Sequence, residues 1–281
     1  MAKNNLNWQE VNKLLDLAFE EDIGTGDVTT ESIFPEDDLC RAVIKCKEDG
    51  ILAGLPVARA VFEKIGSLAG WNEIKNDGDK ISSGDLIVEI EGTSRQVLTG
   101  ERLALNILQR LSGIATYTSK FAKEVEGLDV KIVDTRKTIP GFRTLSKYAV
   151  EVGGGQNHRM GLYDGVLIKD NHIKQAGSIK NAVDLVKKKA GSDFKIEVET
   201  TSLEQVKAAI DAGADIIMLD NMSDGMMEEA VKLIGKKALI EASGGINLQR
   251  VRQVAEIGVD IVSIGALTHS AMALDLSLDM L

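Results

Sequence analysis

A parallel α/β fold preceded by a smaller α+β domain is the architecture that this 281-residue chain predicts. Three observations carry the prediction. From about Val130 onward, short runs rich in Val, Ile and Leu alternate with segments of helical period. Polar residues and glycines gather directly after each run. Before about Leu111, strand-like runs are instead joined by turn-rich connections and interleaved with helices. The expected fold is a C-terminal, incomplete α/β barrel over 113–269 and an N-terminal α+β open-faced sandwich over 1–112. The tail 270–281 is expected to pack with the first domain.

In chain order, Trp8, Val11, Leu14, Leu15, Ala18 and Phe19 share one face of an opening helix. Arg41–Lys47 and Leu86–Glu91 have strand character, with the turn signals NDGD and SSGD before the second. Helices are expected from about Ala58 to Ile65 and from Gln96 to Leu111, and the domain change near Leu111–Thr116. A mainly antiparallel sheet suits such an order.

The six strands expected next are Lys131–Asp134, Asp164–Ile168, Lys195–Glu199, Asp215–Leu219, Ala238–Ala242 and Asp260–Ile264. Near-continuous apolar runs of this length suit parallel strands covered on both faces. Leu203, Val206, Ala209 and Ile210 follow helical spacing, opened by the capping-box pair Ser202 and Gln205. Leu248, Val251, Val254 and Ala255 do the same after Asn247, and Gly213 and Gly258 sit where helices should stop. No G-x-G-x-x-G follows an early strand, which weakens a dinucleotide-binding sheet. The small residues SGG at Ser243 and GA at Gly265 suit a barrel that binds phosphate near its last strands. Six strands fall short of the usual eight, hence an incomplete barrel.

A net charge of −10 argues against nucleic acid and anionic membranes as partners. The opening residues lack the apolar core of a signal peptide, and no run nears the roughly 20 apolar residues needed to span a bilayer. Cys40 and Cys46 are too few for a disulfide framework and read as reduced core thiols, so a cytoplasmic protein is expected.

Against this acidic background, Asp134–Lys174 holds seven Lys/Arg and four Asp/Glu. TRKT places Arg136 and Lys137 after one strand, and KDNH places Lys169 and His172 after the next. GGGQNHRMG sets His158 and Arg159 beside three glycines. A basic pocket in an acidic chain implies a small polyanionic ligand. Solvated loop cations are the plain alternative for Arg136 and Lys137. Arg143 and Lys147 share one face of a short helix ending near Gly153, as pocket cations or as a solvated face. His158, His172 and His269 have no i, i+3 or i+4 relation, so substrate or structural roles are favoured over zinc. For His172 a supporting hydrogen bond is expected. The phrase NDGDKISSGDLIVEIEG also resembles half of a biotinyl or lipoyl carrier, but the residues before it, ARAVFEKIG, read as a helix rather than a lysine-bearing hairpin.

EDIGTGDVTT, GERLALNILQRLSGIAT, DTRKTIPGFR, KYAVEVGGGQNHRMGLYDGVLIKDNH, EVE, LDN, EASGGI and IGALTHS occur in this order from about Glu21 onward. Together they resemble the quinolinate phosphoribosyltransferases, the decarboxylating nicotinate-nucleotide pyrophosphorylases of NAD synthesis. The resemblance implies quinolinate and phosphoribosyl pyrophosphate as substrates and Mg²⁺ as cofactor. It implies that Arg136, His158, Arg159 and Lys169 surround quinolinate and that Lys137 lies nearer the phosphoribosyl and pyrophosphate groups. Lys137, Lys169, Glu199 and Asp220 are the implied catalytic set, Glu199 and Asp220 meeting ribose hydroxyls and metal. Ser243, Gly244, Gly265 and His269 would hold the 5′-phosphate. Arg102 would enter the site of a second subunit, making a homodimer the smallest active unit, with larger assemblies of dimers allowed. A same-fold relative found with molybdate transport genes, or a nicotinate-type transferase, is the alternative that GGGQNHR and KDNH disfavour.

Overall fold

A computed structural model describes residues 6–190 and 194–281. Its contacts divide the chain into two units: Met1–Ser119, Thr138–Gly154 and Leu267–Leu281 form one, and Lys120–Lys137 with Gly155–Ala266 the other. The first part of the chain forms α1 (Trp8–Asp22), α2 (Val28–Ile33), β1 (Leu39–Cys46), β2 (Gly50–Ile51) and α3 (Leu55–Ile65). After these come β3 (Gly70–Glu73), β4 (Lys80–Ile81), β5 (Leu86–Thr93) and the 31-residue α4 (Ser94–Glu124). The next elements are β6 (Lys131–Val133), α5 (Arg143–Val152), β7 (Val166–Ile168), α6 (Asp170–Ala176) and α7 (Ile179–Ala190). Then follow β8 (Ile196–Thr200), α8 (Leu203–Ala212), β9 (Ile216–Asp220), α9 (Asp224–Ile234) and β10 (Leu239–Ser243). The chain closes with α10 (Val251–Glu256), β11 (Ile261–Ser263), α11 (Ala266–His269) and β12 (Leu276–Met280).

In the first unit an antiparallel sheet has the order β12-β1-β5-β3. Period-2 alternation explains its faces. Ala42 opposite Ile90 and Ile44 opposite Val88 are fully buried, whereas Arg41 and Glu91 pair at 2.9 Å with about half of each side chain exposed. Val57, Val61 and Phe62 of α3 are likewise fully buried, and Phe62 meets Trp71 of β3 at a ring separation of 6.1 Å. Asp27 caps α2: its carboxylate accepts the Thr30 N–H at 3.0 Å while Glu31 accepts the Asp27 N–H at 3.1 Å. Helix α4 runs straight through residues 111–116. Gly113 sits inside it because a Cβ there would collide with the Met272 carbonyl oxygen.

In the second unit all strand pairs are parallel, in the order β6-β11-β10-β9-β8-β7. Consecutive strands β6 and β7 lie at opposite ends of this order, as in a sheet wrapped toward closure. The result is an incomplete α/β barrel. Each strand starts within three residues of its expected position. Register is reinforced twice by one device, an Asp just before a strand. Asp215 Oδ2 accepts the Ile196 N–H, and Asp260 Oδ2 accepts the Ile240 N–H, each at 2.7 Å. Ser202 caps α8 through the Gln205 N–H at 3.3 Å, but Gln205 reaches back to Thr201 N–H rather than to the cap. Asn247 accepts the Arg250 N–H at 3.1 Å, capping a turn just ahead of α10. No helix among the described residues is long and apolar enough to cross a membrane.

Candidate active site

Parallel strands end together on one side of a sheet, so whatever follows each strand is gathered there. In the second unit this brings Thr135, Arg136 and Lys137 after β6 to His158 and Arg159, Lys169 after β7, Glu199 of β8, and Asp220 of β9. Leu167, Met218, Glu241, Ser243 and Ser263 complete the lining of a cavity of about 290 Å³.

The walls divide by charge. Lys169 Nζ lies 3.3 Å from Glu199 Oε2. Burial and the neighbouring Arg136 both lower the Arg159 pKa, and Arg159 Nη1 donates to the Gly165 carbonyl at 3.2 Å. Two guanidiniums brought together in a concave site favour an anion between them, because planar forks bind carboxylates through paired hydrogen bonds. Opposite them, Asp220 Oδ2 accepts from Asn221 Nδ2 at 2.8 Å. Asn221 has φ 53°, a left-handed conformation, and its backbone N–H donates to the Ser243 carbonyl at 2.9 Å. Gly244, at φ 88°, has to lack a Cβ because Asn221 Oδ1 occupies that space.

Three acids that sequence reasoning left without a role stand around His158. Asp134, fully buried at the end of β6, accepts the His158 backbone N–H at 3.0 Å. Glu197 and Glu241 point inward from β8 and β10, 3% and 0% exposed, and place Oε2 at 3.2 and 3.3 Å from His158 Nε2. Burial opposes a charged imidazole, but hydrogen bonds and charge from the two glutamates outweigh it and raise the affinity for a proton on the Nε2 side of the ring. Burial, with Glu241 adding to it, also raises the Glu197 carboxyl. The cluster thus keeps a proton that separated groups would release. The Arg159 N–H donates to Nδ1 at 2.9 Å, which leaves the ring hydrogen on Nε2 and the retained proton with the carboxylate pair facing it. The three groups offer ligand atoms within 4.8 Å of one another and could hold a divalent cation. The available signal for Glu197 was its i, i+2 relation to Glu199, which puts both on one face of the strand; nothing in the sequence tied Glu241 to His158.

Of the residues expected in the site, Arg136, Lys137, His158, Arg159, Lys169, Glu199, Asp220 and Ser243 share the cavity. Gly244 and Gly265 follow β10 and β11 directly. Arg102, with 62% of its side chain exposed, and His269 belong to the first unit and do not line the cavity. His172 Nδ1 accepts the Lys169 N–H at 3.0 Å. Lys147 is 1% exposed and does not line the cavity, so it is neither a solvated-face residue nor a cation of this pocket.

Models of the N-terminal and C-terminal domains of quinolinate phosphoribosyl transferase match residues 27–112 and 114–279. The chain is 45% identical to a probable nicotinate-nucleotide pyrophosphorylase [carboxylating] of Bacillus subtilis, over 98% of this chain and 95% of the relative. It is 43% identical to the protein of that name in Methanocaldococcus jannaschii, over 95% and 96%. The crystal structure of NadC from Streptococcus pyogenes superposes with a TM-score of 0.94 at 40% identity, over 99% of this chain and 100% of that one. That of the nicotinate-nucleotide pyrophosphorylase from Francisella tularensis gives 0.94 at 41%, over 99% and 98%. With both domain models matched in order and relatives similar over nearly their whole length, this chain belongs to the quinolinate phosphoribosyl transferase family.

Proposed function

We infer that this chain transfers the phosphoribosyl group of phosphoribosyl pyrophosphate to the ring nitrogen of quinolinate, giving nicotinate mononucleotide, pyrophosphate and CO₂ in NAD biosynthesis. The observation that carries the inference is the cavity itself: in a member of this family, Arg136, Lys137, Arg159 and Lys169 share a pocket with Glu199 and Asp220 at the carboxyl ends of parallel strands. Arg136 and Arg159 receive the two carboxylates of quinolinate, with Lys169 beside them and His158 forming the adjacent wall. The ring nitrogen attacks the anomeric carbon as its bond to pyrophosphate breaks. The departing oxygen gains negative charge, which Lys137 offsets, and the ribose gains positive charge, which Glu199 and Asp220 offset. The Lys169–Glu199 ion pair holds both members ready in position, so little reorganisation accompanies the charge change. The bond between C2 and its carboxylate then breaks. CO₂ leaves, the electron pair stays on C2 beside the alkylated nitrogen, and a proton replaces the lost group. Ser243, Gly244 and Gly265 take the 5′-phosphate.

Glu199 and Asp220 fit Mg²⁺. They are pocket oxygen donors, and Lys169 and Asn221 engage only one oxygen of each. When bound with the pyrophosphate, Mg²⁺ supplies charge neutralisation for the leaving group. Arg102, exposed on α4, closes the pocket of a second copy, so the dimer is the active unit; a cytoplasmic setting fits these soluble substrates.

Purified protein incubated with quinolinate, phosphoribosyl pyrophosphate and Mg²⁺ should release pyrophosphate and CO₂ in equal amounts, and nicotinate in place of quinolinate should release neither. No product from quinolinate would overturn the reading. For the shared site, Arg102→Ala and Lys169→Met should each be inactive alone and regain activity when mixed; mixtures that stay inactive would overturn the dimer.

A further inference from the structure

His158 lines the cavity, yet its polar atoms are already engaged. The backbone N–H donates to Asp134 Oδ1 at 3.0 Å, and Nδ1 accepts the Arg159 N–H at 2.9 Å. Nε2 faces Glu197 and Glu241 at 3.2 and 3.3 Å. With Nδ1 an acceptor, the ring hydrogen sits on Nε2 and points at the two carboxylates. A ligand therefore meets the ring without a ring nitrogen to bind it.

The two glutamates present the converse problem. Glu197 Oε1 and both oxygens of Glu241 are buried without a hydrogen-bond partner, so Glu197 Oε2, at 3.2 Å, is the oxygen placed to accept the Nε2 hydrogen, and Glu241, at 3.3 Å, acts on the ring by charge. Unpaired carboxylate oxygens in an interior are costly, and negative charge under an anion pocket weakens anion binding. Electrostatics alone would select against both residues here. A divalent cation would relieve the cost, but it needs the Nε2 lone pair. The hydrogen would then move to Nδ1, where it would oppose the Arg159 N–H. The hydrogen-bond pattern suits a ring held by its N–H.

We propose that Glu197 and Glu241 are positioning residues that clamp the His158 ring through Nε2, so that Nδ1 fixes the Arg159 backbone and Arg159 enters the pocket in one orientation. The proposal deepens the quinolinate reading, because Arg159 is the group whose placement would suffer. It predicts an effect on one substrate only. Loosening the ring misplaces a carboxylate anchor, whereas Lys137 and the phosphate-binding strand ends are held independently by β6, β10 and β11.

Glu197→Met keeps the side-chain volume while removing the acceptor, and replacing a buried charge by an apolar group of similar size is often tolerated. Glu197→Gln keeps an acceptor oxygen and serves as the rescue. Removing a buried hydrogen bond to a charged group is expected to raise the quinolinate KM by roughly tenfold or more. The phosphoribosyl pyrophosphate KM should stay within about twofold, and Glu197→Gln should recover most of the loss. Should Glu197→Met fail to fold, calorimetric titration of quinolinate into Glu197→Gln and Glu241→Met carries the same comparison: weak binding in the second and near-normal binding in the first. Equal KM values in wild type and Glu197→Met, or parallel losses for both substrates, would overturn the clamp. So would one equivalent of tightly held metal that Glu197→Met releases. A wild-type protein inactive on quinolinate would instead overturn the functional reading.

Discussion

The two large sheets handle charge in opposite ways. On β1 and β5 of the antiparallel sheet, charged side chains such as Arg41 and Glu91 pair on an exposed face, while Ala42, Ile44, Val88 and Ile90 are buried. On β8 and β10 of the parallel sheet, Glu197 and Glu241 point inward with almost no exposure. One sheet keeps ionic groups where water screens them, and there they matter little. The other removes carboxylates from water and must find each a partner. Buried charge in a strand is therefore the better pointer to function in this molecule.

The largest expected effect falls on the first sheet's side of the comparison. Phe62→Ala should destabilise the protein by about 3–5 kcal/mol, read as a lower urea midpoint, because Phe62 is fully buried against Trp71 and Gly100. Activity per folded molecule should persist. Lys169→Met should show the inverse, a loss of kcat/KM of about 100-fold or more with the urea midpoint little changed. If both variants lose stability and activity together, the contrast between a packing sheet and a catalytic sheet fails.

A smaller effect belongs to the Asp27 cap. Thr30 hydrogen bonds hold its carboxyl below the usual 3.8. Its contribution is thus complete above 3.8 and is lost as pH falls through the depressed folded value. Asp27→Ala should cost about 1 kcal/mol at neutral pH. The gap to wild type, followed by denaturation at falling pH, should close in acid. Least affected should be Arg41→Ala, within about 0.5 kcal/mol of wild type by the same measurement. A larger loss there would show that the exposed face is not energetically idle.

Much of this was legible in the sequence where local rules and tertiary demands agree. The parallel strands were, because short apolar runs and the glycines at 213 and 258 carry one message. Eight expected site residues meet in one cavity because they end or follow strands whose ends lie side by side. Legibility failed where the reason is a distant atom. Gly113 reads as a helix breaker, yet the passing Met272 carbonyl requires glycine there and α4 continues. Asn221 reads as a polar loop residue, although its left-handed backbone and the missing Cβ of Gly244 depend on each other. Glu241 looks like an outward strand residue until His158, from a separate segment, is seen opposite it.

Strand β12 has a consequence for how the protein folds. It pairs with β1, Ile44 facing Leu278, whereas on its other side β1 pairs with β5, Ile44 facing Val88. Closing the longer loop costs roughly 1.5 kcal/mol more conformational entropy, at about 0.6 kcal/mol per doubling of length. The β1–β5 pair is thus expected to form early and the β12 edge late, after the intervening barrel strands have had time to assemble. Amide protection in pulse-labelled refolding should reach Leu278 after Val88, and the second unit would be a guest whose own folding brings its host's last strand within reach.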